Sequence, residues 1–288
     1  MAIGSAMTRL VLRLRKHAGA EADRESMDPR ALALHRRLGR IGRWVGAVSG
    51  NLDLLAALYG TDKFGKHEYT PVYRELMQGR RREPVRLLEI GVGGWECELG
   101  GESLSMWSTY FPKGRIFGID VYDKTSLSRG RVKVFQCSQI DETRLTEIAR
   151  EAGPFDFVID DGSHANAHQI ESFRILWPFV KDGGVYIIED VQTSYWPAYG
   201  GGPVGTPGHA GSCVNYIKGL VDSVNLPEFL EPAAPRLNLD PTIGRIAFHH
   251  NLIAVTKDTA IRRSSVDLGR EDLRRALMSP PEAGPRNT

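Results

Sequence analysis

Two apolar runs of this chain each stop at a pair of adjacent acids. The first is Phe155-Asp156-Phe157-Val158-Ile159-Asp160-Asp161, followed by Gly162-Ser163-His164. The second is Val185-Tyr186-Ile187-Ile188-Glu189-Asp190. Clustered carboxylates cannot all stay ionised and close together without a cation. Asp161, Glu189 and Asp190 are all-oxygen donors with no cysteine nearby in sequence. Such a set suits Mg²⁺, or Mn²⁺, better than Zn²⁺. A divalent ion bound to a hydroxyl lowers its pKa and stabilises the developing alkoxide. Two vicinal hydroxyls could fill two open positions, which favours a diol such as a sugar or a catechol. His164 has the titration range of a general base, with metal-bound Asp161 as the competitor for that role. Plainer readings stay open. Asp160 and Asp161 could cap the helix that begins near His164, and His164 could be a structural hydrogen-bonding residue.

The elements around these runs follow from their patterns. A strand buried on both faces reads as a continuous Val/Ile-rich run, and ligands of parallel sheets bind outside the strand carboxyl ends. Val85 to Ile90 is a strand entering the turn Gly91-Val92-Gly93-Gly94, and Ser103 to Tyr110 can form the helix that follows. Arg115 to Asp120 is a second strand ending in an acid, the position of the ribose contact in nucleotide-binding folds. Val132 to Gln136 is a third strand, ending at Cys137-Ser138-Gln139. Helices are predicted over Thr143 to Ala152 and Ala167 to Val180. This alternation specifies an α/β, doubly wound, Rossmann-like sheet. Ile243 to Phe248 and Leu252 to Thr256 read as an antiparallel hairpin.

Ahead of the sheet, Ala31 to Leu58 carries helical periodicity with a basic face at Arg36, Arg37, Arg40 and Arg43, read as a solvated face. The polar stretch Gly60 to Tyr73 could fold over the end of the first strand. Trp196 to Gly211 is rich in glycine and proline, as a mobile loop would be. Trp196 and Tyr199 either line an acceptor pocket or anchor that loop. The resulting division is a basic helical segment at 1–54, a main domain at 55–260 and a disordered tail at 261–288.

The 288 residues are 41% apolar and 25% charged, enough to build a full core. A net charge of +2 gives no reason to invoke nucleic acid, and none is expected as a partner. Cys97, Cys137 and Cys213 are widely spaced, so a reducing cytoplasm is the default compartment. The first twenty residues are too interrupted by arginine for a signal peptide and read as a frayed or docking helix, with a basic amphipathic helix at a membrane surface as the alternative. No apolar run approaches the ~20 residues of a membrane span. A homo-oligomer is the expected assembly, and the basic N-terminal helices could either pack subunits together or approach an anionic or lipid-linked acceptor.

Glu89-Ile90-Gly91-Val92-Gly93-Gly94, Asp120, five strand–helix units and the hairpin together resemble the class I S-adenosylmethionine (SAM) methyltransferase fold, with its seven-stranded sheet. A narrower likeness is carried by Thr61-Asp62-Lys63 with His67 and Tyr69, then Asp160-Asp161-Gly162-Ser163-His164, then Ile188-Glu189-Asp190-Val191 with Tyr195-Trp196-Pro197. It is similar to the metal-dependent sugar O-methyltransferases of macrolide biosynthesis, the mycinamicin and macrocin type, over residues 55–257. The resemblance implies Mg²⁺ on Asp161, Glu189 and Asp190, with His164 as the base. It implies SAM among Glu89, Gly91, Gly93, Asp120, Ser138, Gln139 and Asp160, with Thr61, His67 and Ser103 closing over it. Cys137-Ser138 departs from the Gly-Asp usual after the third strand. The implied acceptor is a glycosylated natural product or a saccharide. The competing readings are a catechol-type O-methyltransferase, a SAM-binding protein without turnover, and a hydroxylase, which would need the second histidine of a metal triad. A nicotinamide-binding protein is disfavoured because Glu96 stands where the third glycine of GxGxxG belongs.

Overall fold

In the computed structural model, residues 41, 43–94, 96, 98–230, 239–260, 263–264 and 270–278 are described. Arg36, Arg37, Arg40, Cys97 and the first forty residues therefore lie outside the described residues. Seven strands form one sheet in the order β3-β2-β1-β4-β5-β7-β6. They are β1 (Arg86–Ile90), β2 (Arg115–Asp120), β3 (Val132–Gln136), β4 (Phe155–Asp160), β5 (Val180–Glu189), β6 (Ile243–His249) and β7 (Leu252–Lys257). Strands β1 to β5 pair in parallel, while β7 pairs antiparallel with both β5 and β6. This is the doubly wound sheet with a terminal hairpin that the sequence predicts.

Helices cover both faces. On one lie α1 (Leu52–Tyr59), α2 (Thr70–Met77) and α3 (Glu102–Tyr110), burying Leu55, Tyr73 and Trp107 against Leu87, Phe157 and Ile187. On the other lie α4 (Glu142–Ala152), α5 (Asn166–Leu176), the single turn α6 (Pro207–Ala210) and α7 (Cys213–Gly219). There Leu145, Phe173 and Ile217 pack on Leu88, Val158 and Tyr186. Successive side chains along a strand alternate between these layers. Glu89 and Glu189 thus fall on the α1–α3 side, and Asp160 falls on the α5 side.

Register fixes what meets at the carboxyl edge. Ile90 pairs with both Ile119 and Asp160, and Asp160 pairs with Ile188. Sheet order reverses between β1 and β4, where a crevice opens in doubly wound folds. Gly91 sits at that point with φ 83°. A Cβ on it would lie 2.1 Å from the Asp161 carbonyl oxygen, so only glycine lets the two strand ends approach.

The glycine- and proline-rich segment after β5 is built rather than loose. Short 3₁₀ turns at Val191–Tyr195 and Pro197–Tyr199 lead into α6. The amide of Asn166, itself 1% exposed, makes four bonds that hold this segment. Its Nδ2 donates to the carbonyls of Thr193 (3.1 Å) and Tyr199 (2.9 Å), and its Oδ1 accepts from Ser194 Oγ (2.9 Å) and Cys213 N (2.8 Å). Glycine content signalled turns; the fastening comes from a residue thirty positions upstream. Within 261–288, read from its composition as disordered, α8 (Glu271–Met278) is helical, and Arg274 Nη2 donates to the Leu230 carbonyl at 2.5 Å. No helix among the described residues is long and apolar enough to cross a membrane.

Gly91→Ala combines a left-handed backbone with a main-chain collision and should cost about 2–4 kcal/mol, read as a lower midpoint in urea denaturation. Asn166→Ala strands several buried partners and should cost about 2–4 kcal/mol. Limited proteolysis checks the second substitution, with new cleavage confined to residues 193–213.

Candidate active site

The carboxyl edge gathers acids from three neighbouring strands. Lys63, from the loop between α1 and α2, reaches into them with its side chain 1% exposed. Its Nζ lies 2.6 Å from Glu189 Oε1, 2.7 Å from Asp161 Oδ2 and 3.3 Å from Glu89 Oε1. Burial alone would push this ammonium down; the Asp161 and Glu189 carboxylates outweigh burial and hold its pKa well above the ordinary lysine value. The Tyr73 hydroxyl also donates to Glu189 Oε1. Glu89 Oε2 accepts from Ser103 Oγ at 2.9 Å, and burial raises the Glu89 carboxyl despite Lys63 beside it.

Asp190 sits slightly apart and is dressed differently. The Tyr69 hydroxyl donates to its Oδ1 at 2.5 Å, and His67 Nδ1 lies 3.4 Å from the same oxygen. Burial works against ionisation, but the Tyr69 bond and the flanking His164 and His67 rings outweigh it and hold Asp190 below the usual carboxylate range. His164 Nε2 lies 3.7 Å from Asp190 Oδ2, while its buried Nδ1 has no hydrogen-bond partner. Ligand atoms of Asp161, His164 and Asp190 all lie within 4.8 Å of one another. An octahedral Mg²⁺ with bonds of ~2.1 Å spans ligand atoms up to about 4.2 Å apart, so this donor set fits such an ion with small side-chain movements. Glu189, the third ligand inferred from the sequence, stands behind them and shares the Lys63 ammonium with Asp161.

Backbone strain marks the same place. Four non-glycine residues among those described have positive φ: Glu68 (56°), His164 (56°), Asp190 (53°) and Asn251 (58°). Glu68 lies between His67 and Tyr69, and the Asn251 carbonyl accepts from the Tyr69 hydroxyl at 3.2 Å. Asp190 is one of the four, His164 lies beside its carboxylate, and Glu68 and Asn251 are tied to it through Tyr69. Left-handed backbone in non-glycine residues costs of order 1–3 kcal/mol each and concentrates at functional sites.

The residues assigned to the cofactor divide into two groups. Glu89, Gly91, Gly93, Ser103 and Asp120 border the crevice at the ends of β1 and β2. A Cβ at Gly93 would meet nothing within 4 Å, so open space lies in front of it. Asp120 accepts from Val92 N and Tyr122 N, both at 2.9 Å, which braces the glycine turn. Thr61 is buried and its Oγ1 accepts from Lys63 N at 3.4 Å. Asp160, by contrast, is 0% exposed and points to the α5 layer. Its oxygens accept from Gln139 Nε2 (3.3 Å), Gly162 N (3.4 Å), Tyr186 Oη (3.4 Å) and Ser172 Oγ. Gln139 Oε1 in turn accepts from Ser163 N at 2.8 Å. Asp160 and Gln139 therefore brace the Gly162–His164 turn from behind, while Ser138 stays half-exposed at the rim. The described cysteines are buried, and burial pushes the Cys137 thiol up to about 11 and the Cys213 thiol up as well.

Asn166 is a residue that the sequence pattern did not single out, and Lys63, though part of the Thr61-Asp62-Lys63 motif, received no role there. A lysine in a polar loop reads as solvated, and only its placement before the first strand hinted otherwise.

No family model matches the chain. It is 42% identical over 212 residues to an 8-demethyl-8-(2-methoxy-alpha-L-rhamnosyl)-tetracenomycin-C 3'-O-methyltransferase of Streptomyces olivaceus, covering 72% of this chain and 54% of that one. It is 41% identical over 217 residues to mycinamicin VI 2''-O-methyltransferase of Micromonospora griseorubida, covering 74% and 54%. A solved structure of MycE methyltransferase from the mycinamycin biosynthetic pathway, in complex with Mg, SAH and mycinamycin VI, matches with a TM-score of 0.67 at 42% identity. That match covers 72% of this chain and 53% of the other. The chain thus spans about half the length of the relatives it matches. By fold and by sequence, it belongs to the class I SAM-dependent methyltransferases and resembles those that methylate sugars of polyketide and macrolide compounds.

Proposed function

We propose that this chain transfers a methyl group from SAM to a sugar hydroxyl of a glycosylated natural product, with Mg²⁺ at the sheet edge. The observation that carries the reading is the convergence of Asp161, His164 and Asp190 within 4.8 Å beside the open glycine turn. The relatives named above carry sugar O-methyltransferase names, and one was solved with Mg and SAH bound, which supports both cofactors here.

Asp161 and Asp190 would hold the cation, with Glu189 behind them as the third expected ligand. A cation there would lower the pKa of a sugar hydroxyl and fix it in place. SAM would supply the methyl group from the crevice bordered by Glu89, Gly91, Gly93 and Asp120. His164 would accept the hydroxyl proton, a reading supported by its Nε2 lying 3.7 Å from Asp190 Oδ2 and by its Nδ1 having no hydrogen-bond partner. Asp190, held ionised by Tyr69, would steady the protonated imidazole. Asp160 and Gln139 hold the turn that carries His164. Trp196 and Tyr199, 48% and 36% exposed with ring centroids 6.0 Å apart, offer an apolar wall for the acceptor just beyond β5.

Metal dependence is the first check. EDTA should abolish methyl transfer to a panel of glycosylated polyketides, rhamnosides and mannosides, and added Mg²⁺ should restore it, read by mass as one added methyl group. Full activity in EDTA would sink the reading. His164→Ala should lower turnover by about 10²–10⁴-fold, with SAM affinity by calorimetry changed less than about threefold. Unchanged turnover would remove His164 from the base role.

A further inference from the structure

Lys63 is held at both ends. Its carbonyl accepts from Tyr69 N (2.9 Å) and Thr70 N (3.3 Å) at the start of α2. Its ammonium touches carboxylates delivered by β1, β4 and β5. One ammonium thus meets three carboxyl groups within 3.3 Å, and burial pushes two of them, Glu89 and Glu189, above the usual carboxylate range. Among the described residues, Lys63 alone makes an ion pair with Glu89, Asp161 or Glu189, and His164 lies within 4.8 Å of Asp161. Tyr73 and Ser103 contribute neutral donors only. Without Lys63, the metal-free protein would hold three buried or half-buried carboxylates with no counter-charge, a costly arrangement.

We propose that Lys63 is the resident cation of this cluster, a positioning residue whose charge holds Glu89, Asp161 and Glu189 together until the divalent ion is present. The inference rests on the metal site proposed above. A lysine that only tethered the loop before α2 would leave the same defect whether or not metal were added. A resident cation leaves a defect that another cation repairs.

The test is the melting temperature of wild type, Lys63→Met, Glu189→Gln and the double variant, cofactor-free, in EDTA and in millimolar Mg²⁺. Methionine keeps the apolar stem and removes the charge. In EDTA, Lys63→Met should melt about 10 °C below wild type. Mg²⁺ should recover at least half of that loss, a larger shift than wild type shows, as tighter binding to the more negative site requires. The Glu189→Gln change should also relieve the loss in EDTA, so that the double variant melts above Lys63→Met. An equal loss in EDTA and Mg²⁺ that Glu189→Gln fails to relieve overturns the proposal. Relief by Glu189→Gln with no Mg²⁺ response in any variant upholds the charge role of Lys63 and rejects the metal site instead. If Lys63→Met gives no soluble protein, the double variant decides: recovery of soluble protein supports the proposal, and continued insolubility overturns it.

Discussion

Negative charge at one edge of one sheet is the constraint from which the rest of the site follows. Parallel strands in common register must end side by side, so acids at their ends are forced into proximity. Strand alternation then sorts them. Glu89 and Glu189 turn toward the α1–α3 layer, where Lys63 and Tyr73 meet them. Asp160 turns the other way into Ser172 and Tyr186. Asp161 and Asp190, one residue past the strands, escape this alternation, and reach Lys63 and Tyr69 respectively. Each adjacent pair therefore divides into one fully buried acid, Asp160 or Glu189, and one half-buried acid at the edge, Asp161 or Asp190.

Support for the groups at the edge is assembled from distant parts of the chain. The His164 turn is backed by Asp160 through Gln139 and Ser163. Asp190 is gripped by Tyr69 and, through the Asn251 carbonyl, linked to the hairpin. The loop beyond it is fixed by Asn166. Each brace is a buried or half-buried hydrogen bond whose removal strands a partner, so the cost of losing one exceeds the ~1 kcal/mol a bond contributes on balance.

The sheet was legible because its strands are unbroken apolar runs and its helices alternate with them. Strand β3 and the hairpin fall within a residue of the sequence reading. The acids were legible too, since four carboxylates at two strand ends admit few explanations. Long-range pairing was not. Nothing local tells that Lys63 crosses to Asp161 and Glu189, or that Asn166 reaches Tyr199. The separate fates of Asp160 and Asp161 follow from strand alternation, but only once the strand end is fixed to the residue. The segment 196–211 reads as loose because glycine and proline encode turns without encoding what fastens them. Its order lies in the partners.

The left-handed residues around Asp190 carry a consequence for heat. Glu68, His164, Asp190 and Asn251 each sit in a backbone basin that unfolded chains seldom visit, while the strand ends beneath them are buried. The rim therefore gains more from melting than the sheet does. Warming should relax the rim first, so local opening around Asp190 precedes unfolding of the sheet.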